Sequence, residues 1–422
     1  MTRSACSGPG SGQPADETRA SVVTAPLDGL LVADFSRVLA GPLATMTLAD
    51  LGATVVKVER PGAGDDTRQW GPPWTPAASS YFECVNRSKY SLELDLADPV
   101  DRAAAAELAA RADVVVENFR PGGLAGYGLD YESVSLVNPG VVYCSISGFG
   151  SDAGAALPGY DFVVQAVGGL MSITGAADGP PQKVGVALVD VLTGKDAAIG
   201  ILAALAARSR TGRGEHVEVA LLTSLLGGLV NQASGYLTTG TPPRRMGNRH
   251  PSIAPYETLR CADGLLAVAC GNDRQFGRLA EVLGRPGLAE DERFASNSSR
   301  VAHREELVAE LEAALAAATA AEWEARLNAV GVPAGPVNDI GTAIAHAEQL
   351  GLRPLLDLGA DTVPQVRHPV RYTRSSTAEA APPPRLGEHN AQLRDWLTRP
   401  GSEPLPHPSA LGEKAESDHD HW

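Results

Sequence analysis

Lysine is nearly absent from this 422-residue chain: only Lys57, Lys89, Lys183, Lys195 and Lys414 occur, and arginine supplies the other basic side chains. Lys and Arg together number 35 against 50 Asp and Glu, a formal charge of −15. A polyanionic partner needs a basic surface to displace counterions, so neither nucleic acid nor an anionic membrane is expected. Any small anionic ligand must then be met by a few local cations. Cysteine is sparse too. Cys6, Cys84, Cys144, Cys261 and Cys270 form no Cys-x-x-Cys pair and no Cys/His ligand spacing, which argues against both a zinc site and a disulfide framework. No apolar run reaches the ~20 residues needed to span a bilayer, and no cationic-then-apolar leader opens the chain. A soluble cytoplasmic protein is the expectation.

What is present is a 44% hydrophobic fraction, enough for a full core at a length that suggests two or three domains. Residues 1–25 are rich in Gly, Ser, Pro and Asp without apolar period, and disorder is expected there. The same is expected of residues 396–422, an acidic tail with Glu403, Glu413, Glu416, Asp418 and Asp420 against Lys414. Between the tails, apolar strands alternate with helices. Strands are predicted over residues 29–35, 54–59, 90–94, 114–116 and 141–145, with a helix over 42–51. Asp98-Pro99 marks another helix start, since Asp caps free amides and Pro suits the first turn. This pattern predicts an α/β fold, a Rossmann-like doubly wound parallel sheet covered on both faces. A long apolar helix is predicted over 190–210 and a half-wet strand over 216–220.

The texture changes after about residue 242. Short strands around the Ala262-Asp263-Gly264 turn, then helices over 300–318 and 321–329, predict a smaller α+β domain. The domain reading is therefore a large domain over 26–225, a linker helix and small domain over 226–330, and a return to the large domain over 331–395 through the Gly331 to Val337 break.

The first strand–turn–helix unit lacks the glycine pattern of a dinucleotide fold. Its turn, Asp34 to Pro42, holds one glycine where a pyrophosphate-binding loop needs three, and no phosphate loop with Gly-Lys-Ser/Thr exists. The turn nevertheless sits at the carboxyl end of a strand, where open α/β sheets place ligands. Arg37, Arg60, Lys89 and Arg120 recur near strand ends. Singly, each reads as a solvated charge; together they suit a phosphate-rich ligand.

Several ordered blocks add to this reading. They run from Pro26-Leu27-Asp28-Gly29 through Ala40-Gly41-Pro42, Leu51 to Glu59, and Gly64-Asp65 with Arg68. They continue through Asn86 with Lys89, Glu117-Asn118-Phe119-Arg120-Pro121-Gly122, Pro158-Gly159-Tyr160-Asp161 and Gly387-Glu388-His389. In this arrangement the chain resembles the family III CoA-transferases, which move coenzyme A from an acyl-CoA donor to a free carboxylic acid. The resemblance implies an interlocked homodimer, acyl-CoA as substrate with no tightly bound cofactor, and CoA contacts at Val38, Arg60, Lys89, Asn118 and Phe119. It also implies Asp161 as nucleophile. A carboxylate attacking a thioester forms an aspartyl-acyl mixed anhydride, splitting one hard step into easier ones. The tetrahedral oxyanion needs fixed N–H donors, for which the backbone at Leu39 and Ala40 is the candidate. Taken alone, Asp161 reads equally as the cap of the apolar helix that follows it.

Two other readings compete. Racemases of the same superfamily, acting on 2-methylacyl-CoA, pair the aspartate with an upstream histidine; this chain has no histidine before His216. A non-catalytic acyl-CoA-binding protein is the other. The loop Gly247-Asn248-Arg249-His250 resembles the lid region of the family, but lacks the long glycine run of formyl-CoA transferases. It looks more like that of transferases acting on dicarboxylates such as succinate or other C4–C6 diacids, with Gly247, Arg249 and His250 as the substrate loop. Arg249 or His250 would then bind a distal carboxylate; each reads equally as a surface residue.

Overall fold

The computed structural model describes residues 25–359, 362–399 and 404–411. Residues 1–24 and 412–422, for which disorder was expected, lie outside the described residues. Six strands form the large sheet: β1 (Leu31–Asp34), β2 (Thr54–Glu59), β3 (Lys89–Glu93), β4 (Val114–Glu117), β5 (Val142–Ser147) and β6 (Glu215–Ala220). All are parallel, in the order β3-β2-β1-β4-β5-β6. The order reverses between β1 and β4, and the crevice beyond their carboxyl ends is where such a sheet receives ligands.

β1, β2, β4 and β5 are short, mostly apolar runs because both faces are buried, whereas β6 at the sheet edge is half-exposed, as the sequence predicts. On one face Val32, Val55, Val114 and Val142 pack under Ala44 and Leu48 of the Ala40–Asp50 helix and Ala197 and Ile201 of the Leu188–Thr211 helix. On the other, Ala33, Val56, Tyr90 and Tyr143 meet Leu108 of the Pro99–Arg111 helix and Leu393 of the Asn390–Thr398 helix. Asp98 caps its helix as the sequence predicts, accepting from the Val100 and Asp101 amides at 2.8 and 3.1 Å. The two helices on the first face touch backbone to backbone at Gly194, where a Cβ would lie 2.7 Å from the Ala40 carbonyl oxygen. That contact brings their amino-terminal ends side by side, and those ends build the site.

The small domain is an antiparallel sheet, β7 (Tyr256–Arg260), β8 (Leu265–Ala269) and β9 (Ala334–Pro336), ordered β7-β8-β9. Leu259, Leu266, Phe276, Leu307, Leu311 and Trp323 form its core. The single helix expected over 300–318 is two, Asn297–Ala302 and Arg304–Leu315, parted at His303, whose ψ of 32° leaves the helical range. The expected boundary at 330 moves as well. Gly331 to Val337 does not leave the small domain, because Ala334 and Pro336 pair with Val268 and Leu266.

Contact with the large domain resumes later. Gln365 meets Arg87 at 3.2 Å, and the Ala381 amide donates to Ser88 Oγ at 2.9 Å. The expected tail from 396 is also ordered in part. Leu405 is buried under the sheet, and the Leu405 and Pro406 carbonyls accept from Thr54 Oγ1 and the Tyr90 hydroxyl at 3.1 and 2.9 Å.

Candidate active site

The β1–helix turn is held in an unusual shape. Val38 has φ of 71°, a left-handed conformation that a β-branched residue adopts only under restraint. Two clamps supply it. Asn118, beyond β4, donates from Nδ2 to the Arg37 carbonyl at 2.7 Å and accepts the Arg37 amide at 2.9 Å. The Asp65 carboxylate accepts the Val38 amide at 3.1 Å. Asp65 is itself fixed by Lys57, 3.0 Å away and fully buried, whose ammonium also donates to the Ser36 carbonyl. The restrained turn delivers the Leu39, Ala40 and Gly41 amides to the start of the Ala40–Asp50 helix. No side chain caps that start, and these amides meet no acceptor among the described residues. Free amides at a helix start attract negative charge.

Asp161 opens the Asp161–Val167 helix. Its segment reaches β5 because Gly159 lies backbone to backbone with Gly148; a Cβ on Gly148 would fall 2.5 Å from Gly159 Cα. Three donors meet the Asp161 carboxylate. Gln165 Nε2 reaches Oδ1 at 2.7 Å, while the Val189 and Asp190 amides reach Oδ2 at 2.8 and 3.3 Å. Those amides belong to the first turn of the Leu188–Thr211 helix, 24 residues long, so the carboxylate sits at its positive end. Asp161 remains partly exposed. The helix-cap reading of Asp161 is thus inverted: it caps a neighbouring helix rather than its own.

A cleft of about 220 Å³ is walled by Val38, Leu39, Ala40, Asn118 and Phe119 on the turn side and by Tyr160 and Asp190, the neighbours of Asp161, on the other. It shares Phe119, Arg120, Pro121, Ile146 and Ser147 with a second cleft of about 500 Å³ that continues along β4 and β5. Arg60 stands 69% exposed beside the opening between β1 and β2, 3.7 Å from Asp66. Val38, Leu39, Ala40 and Phe119 therefore share a cleft with the neighbours of Asp161, while Arg60 lines an adjoining one that meets it at Arg37 and Phe119.

Other expected residues do not. Lys89 lies at the amino end of β3, opposite Val55, with its side chain fully buried. Its ammonium donates to Asp34, the Pro42 carbonyl and Asn86 at 3.1, 2.9 and 2.9 Å. Burial pushes that ammonium down to about 8 against the pull of Asp34. Lys89 thus supports the floor and does not reach the cleft. The Asn118 side chain is engaged by the turn, leaving its surroundings rather than its amide for a ligand. Arg249 is held within the small domain by Glu257 at 3.3 Å and by Glu305. The His250 ring accepts the Ser252 amide at 3.1 Å, and its carbonyl accepts from Arg304. Gly247, with φ of 62°, gives its amide to the Gly175 carbonyl at 3.0 Å. None of the loop residues Gly247, Arg249 and His250 lines the two clefts, so a distal-carboxylate role for Arg249 or His250 has no geometric support here.

Three features escaped the sequence reading. Asp65 looks like an ordinary loop acid, yet shapes the turn. Asp190 looks like a helix-start acid, yet projects into the cleft; an acid alone between Val189 and Val191 was its only signal. In the larger cleft, Ser145 Oγ lies 2.9 Å from His216 Nε2, and the imidazole stacks on Tyr131 at 4.7 Å. Burial raises the nearby Glu117 carboxyl.

A partly exposed carboxylate held on three donors thus stands next to Tyr160 and Asp190, which wall a cleft shared with unsatisfied helix-start amides. The chain belongs to CoA-transferase family III, whose pattern matches residues 27–390. It is 45% identical over 383 residues to a succinate–glutarate CoA-transferase of Agrobacterium fabrum, covering 87% of this chain and 94% of that protein. It is 41% identical over 387 residues to an acetyl-CoA:oxalate CoA-transferase of Acetobacter aceti, covering 91% and 99%. A solved CaiB/BaiF family protein from Brucella suis superposes with a TM-score of 0.81 at 46% identity, covering 89% of this chain and all of that one.

Proposed function

We propose that this enzyme transfers coenzyme A between a dicarboxylic acyl-CoA donor and a free dicarboxylic acid, with Asp161 as nucleophile. The observation that carries the reading is the Asp161 carboxylate fixed at the start of one helix, its neighbours Tyr160 and Asp190 walling the cleft that holds the open amides of another. Asp161 attacks the thioester carbonyl, and the negative oxygen of the tetrahedral adduct is received by the Leu39 and Ala40 amides. Collapse gives the aspartyl-acyl anhydride and CoA thiolate. The thiolate attacks the aspartyl carbonyl, releasing the donor acid and leaving CoA on Asp161. The acceptor carboxylate repeats the sequence in reverse, and each step keeps the energy of an activated acyl group. Coenzyme A would lie along the two connected clefts, with Phe119 beside it and Arg60, Arg37 and Arg120 near its phosphates. The dicarboxylate class is supported by the names of the relatives, which include succinate, glutarate and oxalate transferases.

A homodimer belongs to the same reading. The Val230–Thr239 and Ile340–Gln349 helices bury no side chain and expose Val230, Tyr236, Leu237 and Ile340. Such surface on a lone subunit supports coverage by a second copy. Racemisation is not supported: His216, the first histidine, lines the larger cleft with Ser145, not the cleft beside Asp161.

The test is a panel of acyl-CoAs against mono- and dicarboxylic acids, read by mass spectrometry. Wild type should exchange CoA fastest among diacids, and Asp161→Ala should fall to background while keeping its fold. Full transfer by the alanine variant, or deuterium wash-in at the acyl α-carbon without any acceptor, would reject the assignment.

A further inference from the structure

Asp190 has no place in the reaction as written above, yet its surroundings are those of a working group. It projects from the first turn of the long helix into the wall of the smaller cleft, which it shares with the Leu39 and Ala40 amides. Its carboxyl makes no hydrogen bond or ion pair among the described residues. Its own backbone amide donates to Asp161 Oδ2 at 3.3 Å, so the two carboxyl groups are close neighbours. Two carboxylates at one site resist simultaneous ionisation. The donors are distributed unequally: Gln165, Val189 and Asp190 amides all face Asp161, and none faces Asp190. Of the pair, the proton is therefore favoured on Asp190. Burial, reinforced by the Asp161 charge, pushes the Asp190 carboxyl up to about 7.

The other groups facing this site do not change the assignment. Tyr81, from the segment preceding β3, is pushed up to about 12 by burial and the charges of Asp190 and Asp161, so it stays a neutral phenol. Arg37 and Arg120 line the cleft with Asp190, but neither pairs with it.

We propose that Asp190 is the proton carrier of the transfer, protonating the CoA thiolate as it leaves and recovering the proton when CoA attacks again. The proposal rests on Asp161 as nucleophile. The steps balance. Asp161 carboxylate and acyl-CoA give the anhydride and CoA thiolate, breaking the C–S bond and forming a C–O bond. Asp190 carboxylic acid then gives its proton to the sulfur, leaving Asp190 carboxylate and CoA thiol. Acylation neutralises Asp161 and so removes the charge that held the proton on Asp190, so the proton is released when the thiolate needs it. In the next step the Asp190 carboxylate takes the proton back as the sulfur attacks, and no outside acid or base takes part. Proton transfer by a placed side chain is worth on the order of 10²-fold or more in rate.

Three enzymes test this: wild type, Asp190→Asn and Asp190→Glu, each profiled for kcat/KM from acid to alkaline pH and each trapped with hydroxylamine after acyl-CoA is added. Wild type should lose activity as pH rises through neutrality, about tenfold per pH unit, because the active form carries a protonated Asp190. Asp190→Asn should be on the order of 10²-fold slower at pH 6 and should lack this alkaline limb. Asp190→Glu should restore much of the rate and regain a limb at a shifted midpoint. An alkaline limb that persists unchanged in Asp190→Asn would overturn the proton-carrier role. Absence of an Asp161 hydroxamate in wild type would instead overturn the nucleophile reading beneath it.

Discussion

At the scale of single residues, the turn between β1 and its helix is held by charges buried beneath it. Asp34, fully buried, is met by Lys89 at 3.1 Å, Thr45 Oγ1 at 2.6 Å and the Ser36 amide at 3.0 Å. Although burial acts to raise its carboxyl, Lys89 and Lys57 hold it below the ordinary carboxylate value. Glu59 is held down likewise, against burial, by Arg68 and Lys57, and Asp65 by Lys57 and the Thr67 amide. A lowered carboxylate contributes stability that is full above its ordinary value and is lost as pH falls through the folded one. These three groups therefore link the turn's integrity to pH only on the acid side. Lys89→Met should remove the partner of a buried charge and cost about 3–5 kcal/mol in a urea denaturation at neutral pH. A loss of CoA affinity without loss of stability would contradict this structural role and restore Lys89 as a ligand contact.

At the scale of elements, two backbone contacts set the chemistry. Gly194 lets the long helix press on the Ala40–Asp50 helix, and the Gly148–Gly159 contact fixes the segment that ends in Asp161. Gly159→Ala would push that segment off β5, and a shift of about 1 Å at a reacting group costs on the order of 10²-fold. The variant should accordingly show kcat reduced about that much with KM for the acid little changed, in steady-state kinetics. Unchanged kcat would mean the contact serves packing alone. These elements also show what a sequence discloses. The strands were legible because a parallel sheet buried on both faces demands unbroken Val-rich runs, and the Asp98-Pro99 helix start because capping is local chemistry. Lys89 was misread because its position beside a strand says nothing of depth; only the helix above it turns an apparent surface cation into a buried one. Leu405 was missed because a single apolar residue among prolines carries no period, while its burial is decided by a sheet edge some 350 residues away, at Thr54.

At the scale of the whole molecule, a net charge of −15 coexists with binding of a small polyanion because charge acts locally. Arg37, Arg60 and Arg120 gather near one sheet edge, and the deficit of lysine proves irrelevant: of the five, Lys57 and Lys89 are inside the protein holding carboxylates. Asp161 stood out by its motif, whereas its partners did not, since Gln165 and Val189 meet it only through the packing of helices. Transfer by the proposed route requires Asp161 to become acylated. Wild-type enzyme mixed with succinyl-CoA and no acceptor, quenched with hydroxylamine and digested, should yield a hydroxamate at Asp161 and at no other carboxylate. An active enzyme that leaves Asp161 unmodified under these conditions would contradict it.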